Sequence, residues 1–172
     1  FDAATGETRL LANSRWMAGV VDRAYRRRPQ TLYPPIDTTG IDAIPWDERE
    51  NGFVTLGRLS TDKNVPRNIR IVDGLRERGY DVHLHIGGPP NDVNEVSRIR
   101  SMADDRPYVE LEGELSRREL TTLLSTHRYG LHGKEYEHFG MVLAEMSLAG
   151  MLPFAHDSGG QREVVGESST LL

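Results

Sequence analysis

Cysteine is absent from the 172 residues, which excludes a disulfide framework and a thiol nucleophile and is compatible with a reducing compartment. Long apolar runs are missing too; none approaches the ~18 residues of a membrane helix. The phosphate-binding strings G-x-G-x-x-G and the P-loop do not occur, and neither does the serine-hydrolase string G-x-S-x-G. Dinucleotide binding, ATP hydrolysis and serine-nucleophile chemistry therefore lose support. A positive surplus is also lacking. The 21 Lys and Arg against 26 Asp and Glu leave a net charge of −5, which argues against nucleic acid as the main partner but allows a local phosphate site. No internal repeat or signal-like start is visible, and the chain opens on Phe1, so it is expected to be a piece of something longer. A cytoplasmic protein is expected, with room for peripheral attachment to the cytoplasmic membrane surface.

What is present is a rhythm. Residues 1–9 are small and polar and expected to be weakly structured. Leu10–Ala12 reads as a short strand, and Asn13-Ser14 starts a helix closed by Arg26-Arg27-Arg28 and Pro29. Residues 31–35 read as a strand ended by a proline pair, and 36–51 as a turn-rich crossing segment. From Gly52 strands alternate with helices: strands at 53–57, 82–86, 108–111, 129–132 and 152–156, helices at 65–78, 91–105, from Ser116, at 139–149 and from Gln161, and a last strand at 170–172. Such βαβ units make a Rossmann-like, doubly wound, mainly parallel α/β sheet, with ligands bound beyond the carboxyl ends of its strands.

Several polar groups fall at that rim. Gly57-Arg58-Leu59-Ser60-Thr61-Asp62-Lys63 brings two cations to it, a pair that is either surface decoration or a diphosphate clamp. Gly87-Gly88 reads more simply as a turn than as a ligand cradle. Glu137 and Glu145 stand eight apart, the first before an apolar helix ended by Gly150, the second inside it. A helix start attracts anions, and an ionised carboxylate within a buried helix requires a partner. A dipole-favouring carboxylate and a structural pair with an arginine explain the two residues as well as ligand contact does. His132 and His138 flank the same helix start. His83 and His85 share one strand face like a metal pair, but no carboxylate or cysteine accompanies them at ligand spacing, so no metal is assigned.

GRLSTDKN, GLHGKEYEHFG, the Glu-x7-Glu pair and AHDSGGQREVV, in that order, resemble the C-terminal domain of family 4 retaining glycosyltransferases of GT-B fold. NSRWMA and TLYPPID resemble the segment joining the two domains of that family. The resemblance implies that 1–36 join from a missing N-terminal acceptor domain, 37–51 form a linker and 52–172 bind a nucleotide sugar. Arg58 and Lys63 would hold the diphosphate beside Gly57. Glu137 would contact sugar hydroxyls near His138 and the amides of Phe139, Gly140 and Met141. Glu145 would accept from the ribose hydroxyls, and the base would lie against backbone at Leu111 to Leu115. No metal or other cofactor is implied, and the acceptor would be a glycan or lipid-linked sugar. The His-Gly form of GLHGKEYEHFG points toward mannosyltransferases that extend lipid-linked oligosaccharides. Asn64 departs from the glycine common after the lysine, which is expected to alter that turn. Within the GT-B fold a nucleotide-sugar epimerase stays open, and outside enzymes so does a non-catalytic nucleotide-binding module.

Overall fold

The computed structural model describes residues 9–42 and 44–166. The weak structure expected at 1–8 and the strand expected at 170–172 lie outside those residues.

In chain order the elements are β1 (Leu11–Ala12), α1 (Arg15–Tyr25), β2 (Gln30–Thr31), β3 (Glu50–Leu56), α2 (Val65–Glu77), β4 (His83–Gly87), α3 (Val93–Asp104), β5 (Val109–Gly113), α4 (Arg117–Thr126), β6 (His127–His132), α5 (Met141–Leu148), β7 (Leu152–Ala155) and α6 (Gln161–Val165). Two single 3₁₀ turns, Trp46–Glu48 and Thr61–Lys63, precede β3 and α2. β1 and β2 pair with each other. The other five strands form one sheet, order β5-β4-β3-β6-β7, and every pairing in it is parallel. The expected α/β architecture is therefore the observed one. Strand order reverses between β3 and β6, which opens a crevice at their carboxyl ends.

Alternating side chains give the sheet two apolar faces. Ile69 and Val72 of α2 and Ile99 of α3 cover Phe53, Leu84 and Leu131 on one side. Leu124 of α4 with Leu143 and Met146 of α5 covers Val54 and Leu56 on the other. Helix starts follow local chemistry. Ser14 Oγ accepts from Met17 N–H at 2.9 Å, Asp92 caps α3, and Ser116 and Glu119 form a reciprocal capping box on α4.

Boundaries differ from expectation where tertiary contacts decide them. β3 starts at Glu50 and β6 at His127, because each is paired in register with its neighbour from those residues. The strand expected at 31–35 is only Gln30–Thr31, since its backbone partner β1 is two residues long. α5 does not follow directly on Glu137. Gly140 has φ +98°, which an L side chain rarely adopts, so the helix begins at Met141 and residues 137–139 form a loop. Nor is α5 buried all round: Leu143, Ala144 and Met146 are, whereas Met141 and Leu148 are more than half exposed.

The crossing segment before β3 is less loose than its composition implies. Arg49 is buried and donates to three carbonyls, Ile44 at 3.0 Å, His127 at 3.3 Å and Ala149 at 2.6 Å. One guanidinium thus fastens this segment to the start of β6 and the end of α5, where the helix dipole favours a cation.

Candidate functional site

The loops after β3 and β6 meet at the crevice. In the first, Asn64 takes the left-handed conformation (φ 51°, ψ 40°), which asparagine tolerates better than most residues. The turn expected to be altered is therefore made with asparagine in place of glycine. In the second, the α carbon of Gly133 lies so close that an added Cβ would stand 2.8 Å from Asn64 O and 2.9 Å from Lys63 O. The two loops are packed backbone against backbone.

That contact brings Lys63 to Glu137, Nζ to Oε2 at 2.9 Å, with both side chains less than one-fifth exposed. His138 N–H donates to the other oxygen, Oε1, at 2.9 Å. His132 Nε2 stands 3.5 Å from Oε2, long for a hydrogen bond, and is buried with no closer acceptor. Together His132, Lys63 and the His138 amide hold the Glu137 carboxyl well below its usual range, against the opposing effect of burial. Glu137 is therefore an anion paired to the cation expected to hold phosphate.

A third loop fixes the Glu137 backbone. Gly160 N–H donates to Glu137 O at 2.7 Å, Tyr136 N–H donates to Ser158 Oγ at 2.8 Å, and buried Gln161 donates to Lys134 O and His156 O. The segment before the sheet supplies a further support. Glu163 of α6 accepts from Arg15 N–H, Trp16 N–H and Tyr33 Oη at 2.7–3.0 Å, which docks the start of α1 on α6. Trp16 then stacks at 6.2 Å from His138, and Tyr33 lies 5.6 Å from Phe139.

These groups enclose a cleft of about 260 Å³ lined by Asn13, Pro34, Lys63, His132 and residues 137–142. Of the residues singled out in the sequence, Lys63, His132, Glu137, His138, Phe139, Gly140 and Met141 line it together. Among the described residues no side chain caps α5, so its first amides stand at this cleft without a side-chain acceptor. Gly57 and Arg58 stand at the same rim after β3, and the exposed Arg58 guanidinium makes no hydrogen bond or ion pair among the described residues. Leu111 lies in β5, while Leu115 in the loop beyond rests over Gly87 at the end of β4.

Glu145 does not line the cleft. It sits one turn into α5, 14% exposed, with Oε1 2.6 Å from Arg117 Nη1. Arg117 also donates to Asp37 O. The partner that a carboxylate in this helix requires is thus supplied by the chain itself. Oε2 makes no bond to any described residue, so an acceptor remains for a ligand. Arg117 was not singled out in the sequence, and Asn13, Pro34 and Ser158 entered it only within longer motifs, with no role at the site. Arg117 lies far along the chain from Glu145, and Ser158 from Tyr136, so neither pairing leaves a local trace.

Fold, crevice and motif loops define a class, and the comparisons agree: the profile described as "Glycosyl transferases group 1" matches residues 38–171, so the chain belongs to that family. Among its relatives is the human GDP-Man:Man(3)GlcNAc(2)-PP-Dol alpha-1,2-mannosyltransferase, 29% identical over 170 residues, covering 89% of this chain and 35% of the relative. The Dictyostelium discoideum enzyme of the same name is 27% identical, covering 77% and 30%. The chain therefore spans about a third of these relatives. Among solved structures, Anabaena HepE in complex with UDP and glucose superposes with TM-score 0.75 at 20% identity, over 92% of this chain and 47% of HepE. WaaG, a glycosyltransferase involved in lipopolysaccharide biosynthesis, gives 0.73 at 20%, over 94% and 48%. Among the described residues no helix is long and apolar enough to cross a membrane.

Proposed function

We propose that this chain is the donor-binding part of a retaining hexosyltransferase that moves a hexose from a nucleoside-diphosphate sugar to a glycan or lipid-linked acceptor. The observation that carries this reading is the Lys63–Glu137 pair, set across the strand-order reversal beside an uncapped helix start. An anion at that point meets a cation and free amides, and a sugar attached to it meets a fixed carboxylate. The relatives named for GDP-mannose make GDP and GDP-mannose the first donors to test.

In this reading Lys63 and Arg58 take the diphosphate with the first amides of α5. As the bond from the sugar to the diphosphate breaks, negative charge grows on the leaving oxygens, and these donors stabilise it without having to reorganise. Removing one such donor typically costs 10²–10³ in rate, about 3–4 kcal/mol. Glu137 orients the hexose through its hydroxyls, Oε2 of Glu145 accepts from the ribose, and backbone from Leu111 to Leu115 lies along the base. Fixed cations and the helix dipole carry the leaving-group chemistry, so no metal enters the scheme. The acceptor site belongs to the part of such enzymes that precedes this domain, and this chain by itself is expected to bind donor weakly and transfer nothing.

Titration calorimetry or NMR with GDP, UDP and their sugars tests the proposal. One nucleoside diphosphate should bind, at least tenfold more weakly in Arg58→Ala and Lys63→Ala. If Glu145→Gln binds as well as the parent, the ribose assignment is wrong. No nucleotide binding at all would instead favour a non-catalytic module.

A further inference from the structure

A second polar cluster lies at the opposite end of the sheet. His83 opens β4, His127 opens β6 and Glu50 opens β3, so all three sit at the amino ends of parallel strands, away from the donor rim. His85 points to the same side as His83. The central strand makes room for the rings: a Cβ on Gly52 would stand within bonding distance of the His83 imidazole. The three rings meet edge to face, with centroids 4.5–5.3 Å apart. One nitrogen from each lies within 4.8 Å of the others.

Hydrogen bonds around the cluster assign the tautomers of His127 and His85. His127 Nδ1 is 3.0 Å from Leu123 O, which only accepts, so the proton is on Nδ1 and Nε2 presents a lone pair. That Nε2 belongs to a ring 2% exposed and has no hydrogen-bond partner. His85 Nδ1 faces the Glu112 carboxylate at 2.5 Å, which leaves its Nε2 bare by the same reasoning. His83 Nε2 is likewise buried without a partner. A second-row carboxylate or carbonyl behind each ligating imidazole is the usual setting of a histidine metal site. The carboxylate that the sequence did not place near His83 and His85 is supplied from other strands: Glu50 Oε2 is 3.6 Å from His83 Nε2 and 3.8 Å from His127 Nε2.

We propose that His83, His85 and His127, with Glu50 as fourth ligand, bind one zinc-class divalent ion that clamps the amino ends of β3, β4 and β6. Three imidazoles and a carboxylate suit zinc, whereas calcium and magnesium take oxygen ligands. Tetrahedral ligation at ~2.0–2.1 Å brings ligand atoms to roughly 3.3 Å from one another, a closure that draws in the three nitrogens, now within 4.8 Å of one another, and swings the Glu50 carboxylate toward His85. His83 and Glu50, 32% and 58% exposed in their side chains, have the freedom to make it. This ion is structural, and the donor chemistry at the other end does not involve it.

The test is zinc titration of chelator-stripped protein, with magnesium and calcium as controls and cobalt as a visible probe of tetrahedral nitrogen ligation. Expected are one ion per chain, no response to the controls, and a melting temperature raised by roughly 5–10 °C at saturating zinc. His83→Gln and Glu50→Gln, at partly exposed positions that should leave the fold intact, should each weaken zinc affinity at least tenfold without changing nucleotide binding. Absence of saturable zinc binding, or binding that survives both substitutions, would overturn the proposal.

Discussion

Under the proposed function, replacing Glu137 by glutamine separates phosphate holding from sugar holding. The amide keeps the shape of the side chain and can still accept from His138 N–H, so the loop should persist. What it loses is the charge that now neutralises Lys63 at 2.9 Å. A phosphate oxygen that approaches Lys63 at a similar distance, at a tetrahedral angle, comes to roughly 5 Å from the carboxylate. Two unit charges at that separation repel by about 3 kcal/mol at an effective dielectric constant near 20. Partial exposure of the pair and screening by salt reduce this by about half, leaving ~1.5 kcal/mol, or about tenfold in affinity. Glu137→Gln should therefore bind the bare nucleoside diphosphate about tenfold tighter. The nucleotide sugar should gain little, because it also loses charge-assisted hydrogen bonds to its hydroxyls, worth ~1.5–3 kcal/mol. Calorimetry with GDP and GDP-mannose at two salt concentrations measures both, and the diphosphate gain should shrink at the higher one. If the variant binds the diphosphate more weakly than the parent, Lys63 is not a phosphate ligand and the assignment of roles fails.

Arg49→Met strips a buried cation from three carbonyls and should destabilise the domain by about 2–4 kcal/mol, read from urea unfolding. In Gly133→Ala the new methyl meets the backbone oxygens of Lys63 and Asn64 below 3.0 Å, so the two rim loops must part. Thermal unfolding should show a loss of ~1–3 kcal/mol, and nucleotide affinity should fall with it. Acid should weaken the domain through the same loops. The pKa of Asp62 is lowered to about 2 by Lys134 and Ser60, and that of Glu137 is lowered also. Both carboxylates bind protons first in the unfolded chain, so their stabilisation is whole above the unfolded pKa, about 4–4.5, and fades as pH falls toward 2. Lys134→Met should flatten that decline in denaturant midpoints measured from pH 5 to pH 2.5.

The alternation of strands and helices was legible in the sequence because each element carries its own period and punctuation: Ser116 with Glu119, the glycines at 57, 113 and 150, and the apolar repeat Ile69, Val72, Leu75. The rim was legible for the same reason, since a parallel sheet sends every strand-ending loop to one edge. Pairings across the chain were not. Arg117 looks like one more surface arginine at a helix start until folding brings it to Glu145, twenty-eight residues on. Arg49 hides in a polar segment whose composition argues for exposure, and its three acceptors are backbone atoms that leave no trace in residue identity. The histidine cluster needed β6 beside β3, a neighbour set by topology alone. The start of α5 was misplaced because an apolar run says nothing of the left-handed φ at Gly140, which leaves Glu137 free to lean across toward Lys63.

Glu163 has a mechanical consequence. Its carboxylate binds the first amides of α1 and the Tyr33 hydroxyl, and the rings of Trp16 and Tyr33 rest on His138 and Phe139. The strand-and-helix segment before the sheet therefore acts as a lever whose short arm is the loop carrying Glu137. Close-packed contacts transmit displacement rather than absorb it. A tilt of α1 is passed to the Glu137 loop through these ring contacts, so under the proposed function whatever pulls on this segment would set how firmly a donor sugar is gripped.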